Sequence, residues 1–144
     1  MNRNLCRFLQ IFFLVVAVDQ VTKAWVMLFH PDQVSIIPHF FSVTFTTNTG
    51  SIWGIGCHYT PFFAYAGIVV GMVFVLFFQQ WIQRYPVGSG ALLGGIVSNT
   101  LDRLIRGYVV DFLDFYIQAW HWPCFNIADL AITTTCCWWI LCKK

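Results

Sequence analysis

Four apolar stretches, near residues 7–29, 61–80, 88–105 and 124–142, constrain the fold of this chain more than any other feature. Each is long enough to cross about 30 Å of hydrocarbon at roughly 1.5 Å per residue. They fill most of a 144-residue sequence that is 58% hydrophobic and only 10% charged, with a mean hydropathy of +0.68. A soluble domain of this size is far more polar. All six acidic residues are aspartates (Asp19, Asp32, Asp102, Asp111, Asp114, Asp129), so no glutamate is present to dress a solvated helix face. A net charge of +2 on scattered residues makes no nucleic-acid footprint. The expected fold class is a mainly α membrane protein, a single polytopic domain over residues 1–144 built as a four-transmembrane-helix bundle.

Orientation follows from the basic residues. Arg3, Arg7, Arg84, Lys143 and Lys144 fall on one side if both termini are cytoplasmic, while His30–Thr60 contains neither Lys nor Arg and is therefore external. The first stretch starts like a signal peptide, but its apolar run resumes after Asp19 without a small-x-small cleavage site, as in an uncleaved anchor. Pro61 suits the first turn of the second helix, and Tyr85-Pro86 with Gly88 and Gly90 marks a turn into the third. In the external segment, about 31–60, Phe41, Val43 and Phe45 alternate with Ser42, Thr44 and Thr46, and Asn48-Thr49-Gly50 supplies a turn. A small external β-hairpin or sheet at the outer membrane interface is expected there. The second external segment, about 106–123, is rich in Tyr, Phe and Trp, as an interfacial element is.

Six cysteines form no CxxC pair and read as small apolar fillers; Cys57 and Cys124 are the one pair that this topology sets on the same side. Four histidines lack ligand spacing and no HExxH occurs, so no metal or cofactor is called for.

Asp111, in Val109-Val110-Asp111-Phe112, and Asp129, in Phe125-Asn126-Ile127-Ala128-Asp129, both interrupt apolar sequence. An ionisable group beside hydrocarbon costs on the order of 3 kcal/mol or more and is usually paired, wetted or functional. Gly90, Gly94 and Ser98 recur at intervals of four, which lets a neighbouring helix come close, and Asn99, Asp102, Arg103 and Arg106 follow toward the external end. Asp111 comes just after that end and Asp129 sits in the first turns of the fourth helix, which enters from the same side with Asn126 on roughly the same face, so the two carboxylates share one membrane depth. Neighbouring carboxylates do not both ionise easily; one keeps a proton while the other is charged, which suits general acid and base catalysis on a carbonyl. Other readings stand beside this one. Asp111 is alternatively a turn cap or the partner of Arg103 or Arg106, and Asp129 a hydrogen-bonding group between helices. Asp19 and Lys23, four apart, read as structural support: a self-neutralising pair with Lys23 snorkelling outward. From another class, a small four-helix proton- or cation-coupled transporter subunit would also carry aspartates in its bundle.

Five ordered segments, Asp19-Gln20-Val21-Thr22-Lys23, Asn48 to Gly54, Gly94-Gly95 with Asn99 to Arg103, Val109 to Phe112 and Phe125 to Asp129, resemble the motif set of lipoprotein signal peptidase, signal peptidase II. The resemblance implies an aspartyl endopeptidase of the bacterial cytoplasmic (inner) membrane with its site toward the external, periplasmic face. It implies a diacylglyceryl-modified prolipoprotein as substrate, cut on the N-terminal side of the lipidated cysteine, with membrane lipid as the other partner. Asp111 and Asp129 match the catalytic pair, and Asn48, Asn99, Asp102, Arg103 and Asn126 match positions that bind substrate or support the site. One bundle with one carboxylate pair needs no second copy, so a monomer is expected. The sequence departs from the family at Ser51-Ile52-Trp53, where two small residues and a phenylalanine are common, and at Ser98, where glycine is common.

Overall fold

A computed structural model describes residues 2–29, 31–50 and 60–141. Its elements run α1 (Arg3–Phe29), β1 (Val34–Ile37), β2 (Phe41–Asn48), α2 (Thr60–Phe77), α3 (Gln79–Arg84), α4 (Pro86–Arg106), β3 (Val109–Ile117), β4 (Trp120–His121) and α5 (Ile127–Leu141). The molecule is mainly helical with a small antiparallel sheet.

Helix α4 is the hub, packing against α1, α2 and α5. Its glycines are the reason it fits. A Cβ on Gly90 would lie 2.5 Å from the Phe8 carbonyl oxygen of α1, and one on Gly95 would lie 2.6 Å from the Ala128 carbonyl oxygen of α5. Small side chains therefore let α4 touch the backbones of two neighbours at once. Ser98 continues this row and is fully buried; its hydroxyl donates to Asp19 Oδ2 at 2.7 Å, a polar link between α4 and α1.

The distribution of polarity is inverted relative to a soluble protein. Phe13, Val21, Leu28, Phe62, Ile105 and Leu141 face outward, whereas Asp19, Lys23, Ser98, Asn99, Asp102 and Asn126 are buried. Apolar groups outside and polar groups inside suit a hydrocarbon surround. By length and composition, α1 and α2 are sufficient to cross a membrane; α5, with 15 residues, is shorter.

Three boundaries differ from the sequence expectation. The second apolar stretch breaks at Phe78, giving a separate short α3. Helix α4 begins at Pro86, so Gly88 and Gly90 lie inside it as packing residues rather than in a turn. Helix α5 begins at Ile127 instead of 124, because Phe125 bridges to Leu113 of the sheet and Asn126 is spent on capping.

The sheet adds two details. Strand β2 ends at Asn48, where the Gly50 N–H donates to Asn48 Oδ1 across a bend, and its hairpin partner is β1, through the turn at 38–40 where His39 has φ 62°. The aromatic segment at 106–123 is largely strand β3, and the order is β1-β2-β3-β4 with antiparallel neighbours. Hydrogen-bonding demand on the second edge of β2 explains the assignment, since an unpaired strand edge is costly next to hydrocarbon. Its aromatics stack within the sheet: Phe41 on Phe115 at 4.7 Å and Phe115 on Phe125 at 5.8 Å between ring centroids. The expected period-two alternation is interrupted by a register shift between Val43 and Thr46, beside Asp111. Ser51, Ile52, Trp53 and Cys57 lie outside the described residues, as do Lys143 and Lys144.

Candidate active site

Strand β3 brings in Asp111 opposite Thr46 of β2, and the first turn of α5 brings in Asp129. Asp111 is buried, 2% exposed, and Asp129 is half-buried. Asn126 joins them. Its Nδ2 donates to Asp111 Oδ1 at 2.7 Å, and its backbone N–H donates to Asp129 Oδ2 at 3.3 Å. The remaining oxygens have their own donors: Asn48 Nδ2 reaches Asp111 Oδ2 at 3.1 Å, and Asn99 Nδ2 reaches Asp129 Oδ1 at 2.8 Å. Asn48 is held in turn by accepting from the Gly50 N–H at 3.0 Å. Neither Arg103 nor Arg106 forms an ion pair with Asp111, so that alternative is set aside.

Burial pushes the Asp111 carboxyl up from 3.8 to about 7, with the Asp129 charge adding to the effect and the Asn48 and Asn126 amides opposing it. Desolvation and a like charge both disfavour ionisation. Asp111 is therefore poised to hold or release a proton near neutral pH, as a general acid does.

Behind this pair sits a second, fully buried polar cluster. Lys23 Nζ lies 2.7 Å from Asp19 Oδ2, 2.7 Å from Asp102 Oδ2 and 2.8 Å from Asn99 Oδ1. The Asp19–Lys23 pairing expected from their spacing is present, but Lys23 does not snorkel: it is 0% exposed and points inward. Three partners satisfy all three ammonium donors, which an outward path through the apolar face of α1 would not supply. Asp19 Oδ1 also accepts from the Ala128 N–H at 2.8 Å, a carboxylate at the start of α5 where free amides and the helix dipole favour it.

Asp102 faces this cluster rather than the carboxylate pair. It accepts from Lys23, from Gln20 Nε2 at 2.9 Å and from Arg106, which forms a close ion pair with Oδ1. Two acids and two bases make the cluster neutral. Arg103 points elsewhere: Nη2 donates to the Gly50 carbonyl at 2.9 Å, Nη1 to the Asn99 carbonyl at 3.3 Å, and the guanidinium lies 5.8 Å from the centroid of Phe63. Its Nε is buried without a hydrogen-bond partner among the described residues.

Gln20 and Ser98 complete the polar centre, where the spacing of Ser98 predicts only a small packing residue and Gln20 carries no separate expected role. Gln20 Nε2 reaches Ser98 Oγ at 3.0 Å while its Oε1 accepts from Arg106 at 3.1 Å. The available signal was a glutamine inside an apolar run beside Asp19. An open recess of about 560 Å³ lies elsewhere, lined by Asp32, Thr44, Asp114, Trp120, His121 and Cys124, and touches neither Asp111 nor Asp129. Among the described residues no group of His, Cys, Asp and Glu is arranged to hold a metal ion.

An apolar-surfaced helical protein with paired carboxylates on a strand and a helix start has the form of a membrane-embedded hydrolase of the aspartyl type. The Signal peptidase (SPase) II family model matches residues 11–143. The lipoprotein signal peptidase of Desulforapulum autotrophicum is 37% identical over 143 residues, covering 92% of this chain and 88% of that one. That of Burkholderia mallei is 35% identical over 136 residues, covering 90% and 82%. A solved bacterial membrane enzyme superposes with a TM-score of 0.82 at 33% identity, covering 93% of this chain and 85% of the other. The chain belongs to the signal peptidase II family, a family of membrane peptidases, and the transporter alternative is set aside.

Proposed function

We propose that this chain cleaves diacylglyceryl-modified prolipoproteins on the N-terminal side of the lipidated cysteine, with Asp111 and Asp129 as its catalytic pair. The observation that carries the reading is that Asn126 holds both carboxylates in one centre. Membership of the signal peptidase II family supports the substrate class. In this reading α1, α2, α4 and α5 all span the membrane as one domain, both termini are cytoplasmic, and the sheet lies at the external, periplasmic surface of the bacterial inner membrane. A monomer suffices, since one chain holds every residue invoked.

The chemistry needs two carboxyl groups and one proton. The charged member takes a proton from water as the water oxygen bonds to the scissile carbonyl carbon, and the protonated member gives its proton to the carbonyl oxygen. When the C–N bond breaks, the first returns its new proton to the leaving amine and the second recovers its own from a hydroxyl of the intermediate. Site residues Asn48, Asn99 and Asn126 orient the carboxylates through the bonds described above, and the free Nε of Arg103 is a donor for a substrate carbonyl. A site at the bilayer surface admits water while the acyl chains stay in hydrocarbon. The test is incubation of the purified protein with a diacylglyceryl-modified precursor and its unlipidated twin. Selective cleavage of the lipidated form is expected; equal cleavage of both, or none, would overturn the substrate assignment.

A further inference from the structure

We infer that Lys23 is a positioning residue which, acting through Asn99, makes Asp129 the charged member of the pair and leaves the shared proton on Asp111. The inference rests on the catalytic reading above and adds the direction of proton transfer.

An ammonium group has three donors and no acceptor, and the three partners of Lys23 Nζ are Asp19 Oδ2, Asp102 Oδ2 and Asn99. The Asn99 atom facing it is thus the oxygen, and the amide nitrogen is forced toward Asp129 Oδ1 at 2.8 Å. An amide orientation is ordinarily ambiguous; here a buried cation fixes it. The other oxygen of Asp129 faces the Asn126 backbone N–H, which is also a donor by nature. Asp129 therefore sits at a helix N-terminus between two obligate donors, one of them backed by a positive charge one hydrogen bond away.

Asp111 is less well served. Its donors are two neutral side-chain amides, and one of these, Asn126 Nδ2, divides two hydrogens among Asp111 Oδ1, the Val110 carbonyl at 3.3 Å and Asn99 Oδ1 at 3.2 Å. Strand β3 offers no helix dipole. The upward displacement of the Asp111 carboxyl by burial and by the Asp129 charge agrees with this geometry. The other charged groups around Asn99 are Asp19 on α1 and Asp102, Arg103 and Arg106 on α4. Asp19, Asp102, Lys23 and Arg106 cancel and Arg103 acts on both Asp129 and Asp111, so what distinguishes the two carboxyls is the direction of the Lys23 and Asn99 donors.

In the resulting step Asp129 receives the proton of the attacking water, and Asp111 gives its proton to the carbonyl oxygen. The decisive measurement is ¹³C NMR of carboxyl-labelled aspartate in the full chain in detergent. Assignment uses Asp111→Asn and Asp129→Asn, which each delete one signal. At pH 6 the Asp111 carboxyl is expected at the protonated position and Asp129 at the charged one; the reverse would overturn the inference. A second variant tests the link through Asn99. Asn99→Asp keeps Lys23 fully partnered but takes away the amide donor that faces Asp129 Oδ1, so a purely structural role for the Lys23–Asn99 contact leaves thermal stability as in the parent. The positioning role instead predicts that the protonated signal passes to Asp129 and that kcat falls at least about tenfold with KM little changed. Signals and kcat matching the parent would overturn it, and if Asn99→Asp does not fold, the parent spectrum decides alone. These spectra do not depend on cleavage, so failure of the parent to cut a lipidated precursor would count against the proposed function and leave the proton assignment standing.

Discussion

Asn126 and Asp129 cap one another at the start of α5. The Asp129 N–H donates to Asn126 Oδ1 at 2.9 Å, and the Asn126 N–H donates back to Asp129 Oδ2 at 3.3 Å. This is a capping box in which the third helical residue is also the candidate catalytic carboxylate. Local helix chemistry and site geometry are thus one arrangement, and the Asn126 side-chain amide extends it to Asp111.

Substitutions at Asn126 separate the two jobs. Serine caps a helix about as well as asparagine, whereas alanine costs roughly 1 kcal/mol. Asn126→Ser is expected to unfold near the parent temperature yet to lose cleavage, because no donor reaches Asp111 Oδ1. Asn126→Ala loses both. Thermal unfolding in detergent beside a cleavage assay checks this, and full activity in Asn126→Ser would show that the link to Asp111 is dispensable.

Removing either carboxylate removes half of the proton traffic. Asp111→Asn and Asp129→Asn are each expected to lower kcat by roughly 100-fold to 10,000-fold, the range typical of general acid or base loss. Cleavage of a lipidated precursor, normalised to folded protein, measures it. Near-parent turnover in either variant would contradict the catalytic assignment.

The raised Asp111 carboxyl also has a stability consequence. With the folded group at about 7 and its ordinary value at 3.8, the folded protein keeps a proton that the unfolded chain has lost between those limits. Stability from this group is therefore complete below about pH 4, falls as pH rises toward 7 and levels off above it. A displacement of this size corresponds to roughly 4 kcal/mol. Unfolding free energies measured at pH 5 and pH 8 should show the parent less stable at the higher pH, with much of that difference absent in Asp111→Asn. Equal slopes in both proteins would assign the titration to another group.

Much of this arrangement was legible in sequence because its signals are local. Apolar run lengths announced the helices, and Asp111 and Asp129 announced themselves as charges in apolar surroundings. The i, i+4 spacing of Asp19 and Lys23 predicted their 2.7 Å pair. Direction was not legible. Spacing says that Lys23 meets Asp19, but only the packing of α1 on α4 reveals that Asp102 and Asn99 complete its donors, which is why snorkelling was the wrong expectation. The same holds for β3, whose aromatics say nothing about its being a strand. Nothing in residues 109–117 states that β2 needs a partner at that edge. Long-range pairing is a property of two segments, and neither sequence carries it alone.

Helix contact at Gly95 and Gly90 supplies a last test, because the two glycines touch different neighbours. A Cβ on Gly95 meets the Ala128 carbonyl at 2.6 Å and Ile132 Cγ1 at 2.8 Å, whereas one on Gly90 meets the Phe8 carbonyl at 2.5 Å. Backbone atoms do not yield as side-chain tips do, so alanine at either position forces helices apart at a cost of roughly 1–3 kcal/mol. The functional outcomes differ. Ala128 directly precedes Asp129 and donates its N–H to Asp19, so Gly95→Ala moves the start of α5 relative to Asn99. Gly90→Ala strains the α1 contact at Phe8, among Ile82 and Leu93, away from both carboxylates. Comparable losses in unfolding temperature are expected, with kcat per folded molecule reduced at least about tenfold only in Gly95→Ala, since misplacing a catalytic group by about 1 Å is enough for such a loss. Equal kcat in the two variants would mean that the α4–α5 contact holds the bundle together without setting the position of Asp129.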